Sequence, residues 1–96
     1  MYAVVGIWTV VEDQREAAER ELLDDVIPMI KAHPGFVSGY WMGDPETGKG
    51  HSTVVFDSEA RARQFKELLE SQMRRAAYQG ATNDTLALVE VFGAVT

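Results

Sequence analysis

Few side chains of this sequence are suited to chemistry. Its two histidines, His33 and His51, lack the HxH or HxxxH spacing of a metal site, so we predict no metal. His33 falls in the last turn of a predicted helix, where a capping role is favoured over catalysis. His51 opens a predicted strand, where a surface or interface position is favoured over a general base. With no cysteine, the chain offers no thiolate nucleophile.

One carboxylate and several aromatic side chains stand out in the predicted strands. Glu90 is the one acid of an otherwise apolar strand. A buried carboxyl there would be a candidate base, but an exposed place at the rim of the sheet is favoured. Tyr2, Trp8, Tyr40 and Trp41 supply hydroxyl and indole N–H groups. Aromatic residues in strands belong more often to a core or an interface than to a ligand platform.

Composition excludes several classes of partner. The 96 residues suit one domain, 1–96, and the net charge of −6 argues against nucleic acid and anionic membranes, which reward basic surfaces. No apolar run approaches the roughly 20 residues of a membrane span. The chain opens on an apolar strand without the pattern of a signal peptide, so we expect a cytoplasmic protein.

The hydrophobic pattern predicts the order βαββαβ, an α+β ferredoxin-like fold. It comprises a four-stranded antiparallel sheet with two helices on one face. Asp13 with Glu16 resembles a capping box at the start of the first helix. Pro28 should kink that helix without ending it, because the apolar stripe continues beyond. A second helix should end at Gly80. The predicted strands are 2–11, 36–43, 51–56 and 85–95.

The first and last predicted strands are apolar on both faces. A strand with little alternation is typical of burial on both sides of a sheet. The two helices of so small a domain can cover only one face. We therefore expect a second copy of the chain to cover the other face, which makes the protein a homodimer.

Three stretches resemble the antibiotic biosynthesis monooxygenase-like proteins of the dimeric α+β barrel superfamily. They are IPMIKAHPGFVSGYW, VVFDSEARARQF and the closing LVEVF. The resemblance extends over nearly the whole chain. It implies two sheets packed face to face in a dimer, with helices outside and a pocket in each subunit between sheet and helices.

The resemblance also implies enzymatic activities, each of which depends on residues at particular positions. Members that oxygenate anthrone-type polyketides without a cofactor resemble one another in an Asn, a Trp and a Tyr. The matching positions here are Ser52, Phe56 and Ala62, of which only Ser52 could donate a hydrogen bond. Catalytic residues therefore stay unassigned.

The haem-degrading branch has a Trp and a haem-ligating His on its second helix and an Asn in its first strand. This chain has Phe65 at the Trp position, Tyr78 nearest the His position, and Gly6 in the first strand. Without an axial His, haem is disfavoured, and we expect no cofactor.

The hairpin between the second and third strands decides which residues line the pocket. A seven-residue turn at 44–50 would set Gly43 opposite His51, and a slip of one residue would exchange the two faces. The residues then predicted to line the pocket are Ser38, Tyr40, Met42, Ser52, Phe56, Phe65, Leu69 and Met73. Those predicted to face the partner subunit are Trp41, His51, Thr53 and Val55, with Val37 and Gly39 beside them.

Two functions remain open. One is a cofactor-independent monooxygenase or other oxidoreductase acting on an aromatic or polyketide-type small molecule. The other is a non-catalytic dimer that binds an apolar or aromatic ligand in the same pocket. The small polar inventory of the predicted pocket suits an apolar ligand held by one to three hydrogen bonds.

Overall fold

The computed structural model describes residues 1–75 and 81–95. The four strands of these residues form one antiparallel sheet, and the predicted α+β order and fold are confirmed. The elements are β1 (Tyr2–Val10), a 3₁₀ turn (Glu12–Gln14), α1 (Arg15–Glu21), a π-helical turn (Leu22–Val26), α2 (Ile27–Lys31), β2 (Phe36–Gly43), β3 (Lys49–Phe56), α3 (Glu59–Arg75) and β4 (Ala81–Glu90). Their order in the sheet is β2-β3-β1-β4.

The hydrophobic core lies between one face of the sheet and the helices. Phe56 is fully buried at its centre, with ring centroids 5.0 Å from Phe65 on α3 and 5.4 Å from His33. Both contacts are aromatic pairs of the kind that add to simple burial. The remaining core residues are Val4, Ile30, Val54, Ala62 and Leu69.

The first helical stretch runs from residue 12 to residue 31 through Pro28, so the prediction that it continues is confirmed. Pro28 has no backbone N–H, and the turn before it widens to π geometry, in which the N–H of Ile27 donates to the carbonyl of Leu22. The predicted capping box is wrong. Asp13 lies inside the 3₁₀ turn, and no side chain caps the start of that turn or of α1.

Asp44 closes the β2–β3 hairpin. Its Oδ1 accepts hydrogen bonds from the N–H groups of Glu46 at 2.9 Å and Thr47 at 3.4 Å, and its own N–H donates to the Lys49 carbonyl at 2.9 Å. The Glu46 hydrogen bond is the main cause that holds the pKa of Asp44 below its usual value. Gly48 has a φ of +76°, which suits glycine. The loop is therefore shorter than the predicted turn.

This shorter loop overturns the predicted hairpin register. Gly43 pairs with Gly50, not with His51, because β3 already begins at Lys49. A one-residue difference turns every side chain of the strand to the other face. Trp41 consequently faces the helices, and Tyr40 faces away from them.

The last strand begins and ends earlier than predicted. β4 starts at Ala81 and stops at Glu90, whereas the sequence predicted a strand over 85–95. Glu90 pairs with Tyr2, the first residue of β1, and one more backbone hydrogen bond, from the Val91 N–H to the Met1 carbonyl at 2.9 Å, follows the last pair of the ladder. The predicted end of the second helix at Gly80 lies outside the described residues.

The sheet face opposite the helices is largely apolar and is open in the single chain. Its edges include Tyr40, which is 61% exposed, and Val89, which is 40% exposed. Strand register and alternation assign the members of this outer face. The outer face comprises Ala3, Val5, Ile7, Ser38, Tyr40, Met42, His51, Thr53, Val55, Thr85, Ala87 and Val89.

A charged cluster borders one end of the outer face. Lys49 Nζ lies 2.7 Å from Asp84 Oδ2, and the hydroxyl of Thr9 donates to the same oxygen at 2.7 Å. The hydrogen bond from Lys49, followed by that from Thr9, holds the pKa of Asp84 below its usual value. The cluster thus ties β1, β3 and β4 together by charge-assisted hydrogen bonds.

We expect Asp84→Asn to weaken the dependence of stability on acid pH. Because the folded-state pKa of Asp84 is lowered, its stabilising contribution is complete above the ordinary value of 3.8 and is lost as the pH falls through the lowered pKa. Thermal unfolding of both proteins, from neutral pH down to about pH 2, would measure this. Asp25→Asn, at an exposed carboxylate of the π-helical turn, is the matched control. Parallel curves for wild type and Asp84→Asn would contradict the assignment.

Candidate functional site

A cavity of about 440 Å³ lies between the sheet and the first helical stretch. It exists because α1 and the π-helical turn have no buried residue, and Ile30 is the only residue of this stretch that is fully buried in the core, with Val26 packed against it in part. Its walls are mostly apolar. The lining residues are Val4, Trp8, Val10, Arg15, Ala18, Glu19, Glu21, Leu22, Leu23, Val26, Ile27, Ile30, Trp41, Met42, Gly43, Gly50, His51, Ser52, Val54, Phe65, Leu69, Ala81 and Leu86.

Trp8 and Ser52 form a polar point in this apolar wall. The indole Nε1–H of Trp8 donates to Ser52 Oγ at 3.1 Å, and Ser52 is 8% exposed. The two residues lie on β1 and β3, which are neighbours in the sheet. The cavity therefore offers a buried hydroxyl whose oxygen is already engaged by an indole.

Trp41 supplies a large aromatic wall on the other side of Ser52. It pairs with Ser52 across β2 and β3 and is half-buried. A Cβ at Gly39 would come within 2.7 Å of the Trp41 ring, so the ring lies against the glycine backbone of its own strand. Any larger residue at position 39 would have to displace the indole.

Arg15 links the helical wall to the hairpin at the rim of the cavity. Its Nη2 donates to the Gly48 carbonyl at 2.9 Å and to Glu12 Oε2 at 3.2 Å. Glu19 and Glu21 also border the cavity, so two carboxylates stand there against the one guanidinium of Arg15. An uncharged ligand suits this balance of charges better than a strongly ionic one.

The structure brings together only part of the predicted pocket. Ser52, Phe65, Leu69 and, at the rim, Met42 line the cavity. Ser38 and Tyr40 do not, because the true register turns them to the outer face.

Two further residues that were predicted to line the pocket lie outside the observed cavity for a different reason. Phe56 is buried in the core below the cavity, and Met73 packs against that core. Neither is among the residues that border the cavity. Both belong to the layer that supports its floor.

The residues predicted to face a partner divide in the same way. Thr53 and Val55 lie on the outer face, as does the side chain of His51, which also borders the cavity rim. Trp41 was assigned to the wrong face and lies in the cavity wall. The one-residue error in register accounts for this exchange.

The remaining candidate residues are placed by packing. His33 packs edge-on against Phe56 and Phe65, and its Nδ1 lies 3.1 Å from the Pro34 carbonyl, so the predicted helix-capping role is wrong. Glu90 is exposed at the end of β4 and lies outside the cavity lining, as the favoured alternative predicted. Glu90, and after it Glu59, raises the pKa of the neighbouring Tyr2 hydroxyl.

Sequence reasoning missed Trp8, Gly6 and Gly39 as parts of the site. An isolated glycine inside a strand pattern often marks a close approach by another group, and both glycines here make room for an indole. That signal was present in the sequence. The lining residues of the first helical stretch carried no comparable signal, since their apolar stripe is typical of core packing.

The described residues contain no cluster of three His, Asp or Glu side chains able to hold a metal ion. The described part of α3, Glu59–Arg75, contains no histidine to ligate a haem iron. Tyr78, the nearest approach in sequence, lies outside the described residues. The described part of this helix therefore offers no axial histidine for haem. No helix in the described part of the chain is long and apolar enough to cross a membrane.

Comparison with solved structures identifies the fold. A variant of MhuD with two manganese protoporphyrin IX molecules per active site is 13% identical, with a TM-score of 0.76 and coverage of 100% of this chain and 99% of that one. HapK from Hahella chejuensis is 12% identical, with a TM-score of 0.74 and coverage of 100% and 97%. A protein from Deinococcus radiodurans, assigned by name to the antibiotic biosynthesis monooxygenases, is 14% identical, with a TM-score of 0.72 and coverage of 100% and 97%.

The chain therefore has the fold of the antibiotic biosynthesis monooxygenase-like proteins, as its motifs predicted. No family model and no curated relative matches the sequence. At these identities the likeness establishes the fold alone.

Proposed function

We propose that this protein is a homodimer that binds a flat, mostly apolar small molecule in the cavity of each subunit. The observation that carries the proposal is the cavity itself, whose wall combines two indoles with one buried hydroxyl. Its volume of about 440 Å³ lies within the roughly 300–1,000 Å³ of small-molecule pockets. Apolar walls with few polar groups are also typical of such pockets.

The outer face supports the dimer. An apolar sheet face open to water is costly, and pairing it with the same face of a second copy removes that cost. Such a contact is isologous, as in most soluble homodimers. The neighbouring structures share the fold on which this packing would occur. That the chain forms a single domain and that the protein is cytoplasmic remain predictions.

A side chain that fills the cavity should block the ligand. Ala18 lines the cavity from α1, so Ala18→Phe should weaken binding of a tricyclic aromatic by about tenfold or more, since an overpacked site resists occupation. Ala17→Phe, on the exposed side of the same turn, is the matched control and should bind as the wild type does. Calorimetric titration would measure both. Equal affinity in the two variants would place the ligand elsewhere.

Oxidation of the bound ligand is the second candidate function. Ser52 matches the Asn position of the anthrone-oxygenating proteins and lies in the cavity wall, where its hydroxyl could stabilise an enolate oxygen. The other matching residues, Phe56 and Ala62, are buried in the core. Loss of a proton from an anthrone CH₂ would give the enolate, which reduces O₂. One oxygen atom would end in the new carbonyl and the other in water.

Oxygen uptake separates the two functions. If the protein is catalytic, anthrone should consume one equivalent of O₂ faster than in buffer, with the quinone as product, and Ser52→Ala should slow that reaction. If the anthrone binds but its oxidation is no faster than in buffer, the protein is a ligand-binding dimer without this activity. Calorimetry on the same samples would show whether the anthrone is bound.

A further inference from the structure

We propose that Trp8, acting through Ser52, makes a subsite for a ligand oxygen that accepts a hydrogen bond, such as the oxygen of an aromatic ketone or a phenol. This deepens the proposed function and rests on it. Trp8 is a positioning residue here, because it orients the hydroxyl that would contact the ligand. Neither Trp8 nor Gly6 was identified from the sequence as part of the site.

The Ser52 hydroxyl still has a hydrogen bond to donate. A serine hydroxyl has one proton to donate and two lone pairs to accept. Trp8 Nε1–H donates to Ser52 Oγ at 3.1 Å, so one lone pair is occupied. Among the described residues no hydrogen bond is made by the Ser52 hydroxyl proton, although Ser52 is only 8% exposed. A buried hydroxyl at a cavity wall with a free proton favours a ligand that accepts it.

The Trp8 hydrogen bond also makes Ser52 a better donor. Hydrogen bonds in a chain polarise one another, and the effect is stronger in an apolar, water-poor site than in water. A donor aimed at Ser52 Oγ withdraws electron density from the O–H bond. The pair should therefore discriminate in favour of oxygen acceptors over pure hydrocarbons of the same shape.

Gly6 permits this arrangement. It faces the helix side of β1 opposite Ser52, and a Cβ there would lie 2.8 Å from Trp8 Nε1 and 3.0 Å from Ser52 Oγ. Both distances are too short for an ordinary contact. Any residue other than glycine would push the indole nitrogen and the hydroxyl apart. The absence of a side chain at position 6 thus keeps the donor pair intact.

The class of ligand follows from what surrounds the pair. Trp41 lies beside Ser52 on the adjacent strand, and its flat indole forms part of the same wall. A planar ring system could lie along Trp41 with an oxygen at its edge directed to Ser52. The subsite therefore suits an uncharged polycyclic aromatic that carries a carbonyl or phenol oxygen on its rim.

Two probes of the same shape test the subsite. Fluorenone and fluorene share one tricyclic skeleton and differ in whether the central carbon carries a carbonyl oxygen. Calorimetric titration of the wild-type protein should show fluorenone bound about fivefold more tightly than fluorene, the effect of one net hydrogen bond. The carbonyl stretch of bound fluorenone should shift to lower frequency. Failure of both probes to bind would overturn the proposed function and this inference with it.

Variants locate the source of that preference. Ser52→Ala and Gly6→Ala should abolish the preference for fluorenone and its infrared shift, and Trp8→Phe should reduce both. Ser52→Ala should leave fluorene binding within about twofold, because it removes one hydroxyl and keeps both indoles of the wall. Trp41→Phe is the matched control and should weaken both probes equally while keeping the infrared shift. Circular dichroism would confirm that each variant is folded. If fluorene binds as tightly as fluorenone, or Ser52→Ala keeps the preference, the subsite is overturned while the ligand pocket stands.

Discussion

Phe56→Ala should lose about 3–5 kcal/mol of the free energy of unfolding, the usual cost of truncating a buried phenylalanine. Phe56 is fully buried and packs against the rings of Phe36, Phe65 and His33. Its loss would leave a void beneath the cavity floor that these rings cannot close without leaving their own contacts. For a domain of this size the loss is a large part of the total stability. Urea denaturation would measure the change.

Phe56→Leu is the matched control for this prediction. Leucine keeps most of the apolar volume, so the cost should be about 1 kcal/mol. The ratio of the two costs then reports how tightly the site is packed. If Phe56→Ala were no more costly than Phe56→Leu, the core would not be centred on this residue.

Val55→Asp should convert the proposed dimer to a monomer. Val55 lies on the outer face of β3, a central strand of the sheet, next to Ala3 on β1. In an isologous contact one substitution places two carboxylates in the interface, each without a partner and removed from water. The dissociation constant should rise by about a hundredfold or more. Sedimentation equilibrium would measure the change.

Two control variants separate the effect of the new charge from the effects of side-chain shape and position. Val55→Thr retains the branched side chain, so it should remain a dimer at micromolar concentration. Val11→Asp places the same charge on an exposed residue after β1 and should also remain dimeric. A dimer that persists in Val55→Asp would show that the copies associate through a different surface, and a wild-type monomer would contradict the dimer altogether.

The helices and strands could be predicted because the hydrophobic pattern of each one lies within its own stretch of sequence. Period-two and helical stripes fix which stretches are strands and which are helices, and the two-sided apolar strands indicate a covered sheet. The third strand was correctly divided into a helix side, with Ser52, and an outer side, with Val55. Those assignments depend only on alternation within one strand.

The face of the second strand could not be predicted in the same way, since it depends on one residue in the length of a loop. Asp44 accepts two backbone hydrogen bonds and Gly48 takes a positive φ, so the hairpin closes at Lys49 instead of His51. The sequence permits both closures. The bulge between Phe36 and Ser38 is equally invisible in the pattern. The hairpin closure at Lys49 exchanged the faces of Trp41 and Tyr40, whereas the bulge affects only the start of the strand.

The cavity had the weakest signal in the sequence. It depends on how far the first helical stretch stands from the sheet, which is set by Pro28 and the π-helical turn before it and by the single deep anchor at Ile30. An apolar stripe predicts contact with the core. It does not predict a gap. Gly6, on the same strand as Trp8, and Gly39, against the Trp41 ring, were the one local sign of such space.

The fluorescence of the two tryptophans would show whether a ligand occupies the cavity. The chain has only Trp8 and Trp41, and both line the cavity. Fluorenone titrated into Trp8→Phe and into Trp41→Phe should quench the remaining tryptophan in each, with saturation at the midpoint that calorimetry gives for the same variant. Ala18→Phe should suppress the quenching. Saturable binding by calorimetry with both emissions unchanged would place the ligand outside this cavity and contradict the proposed function.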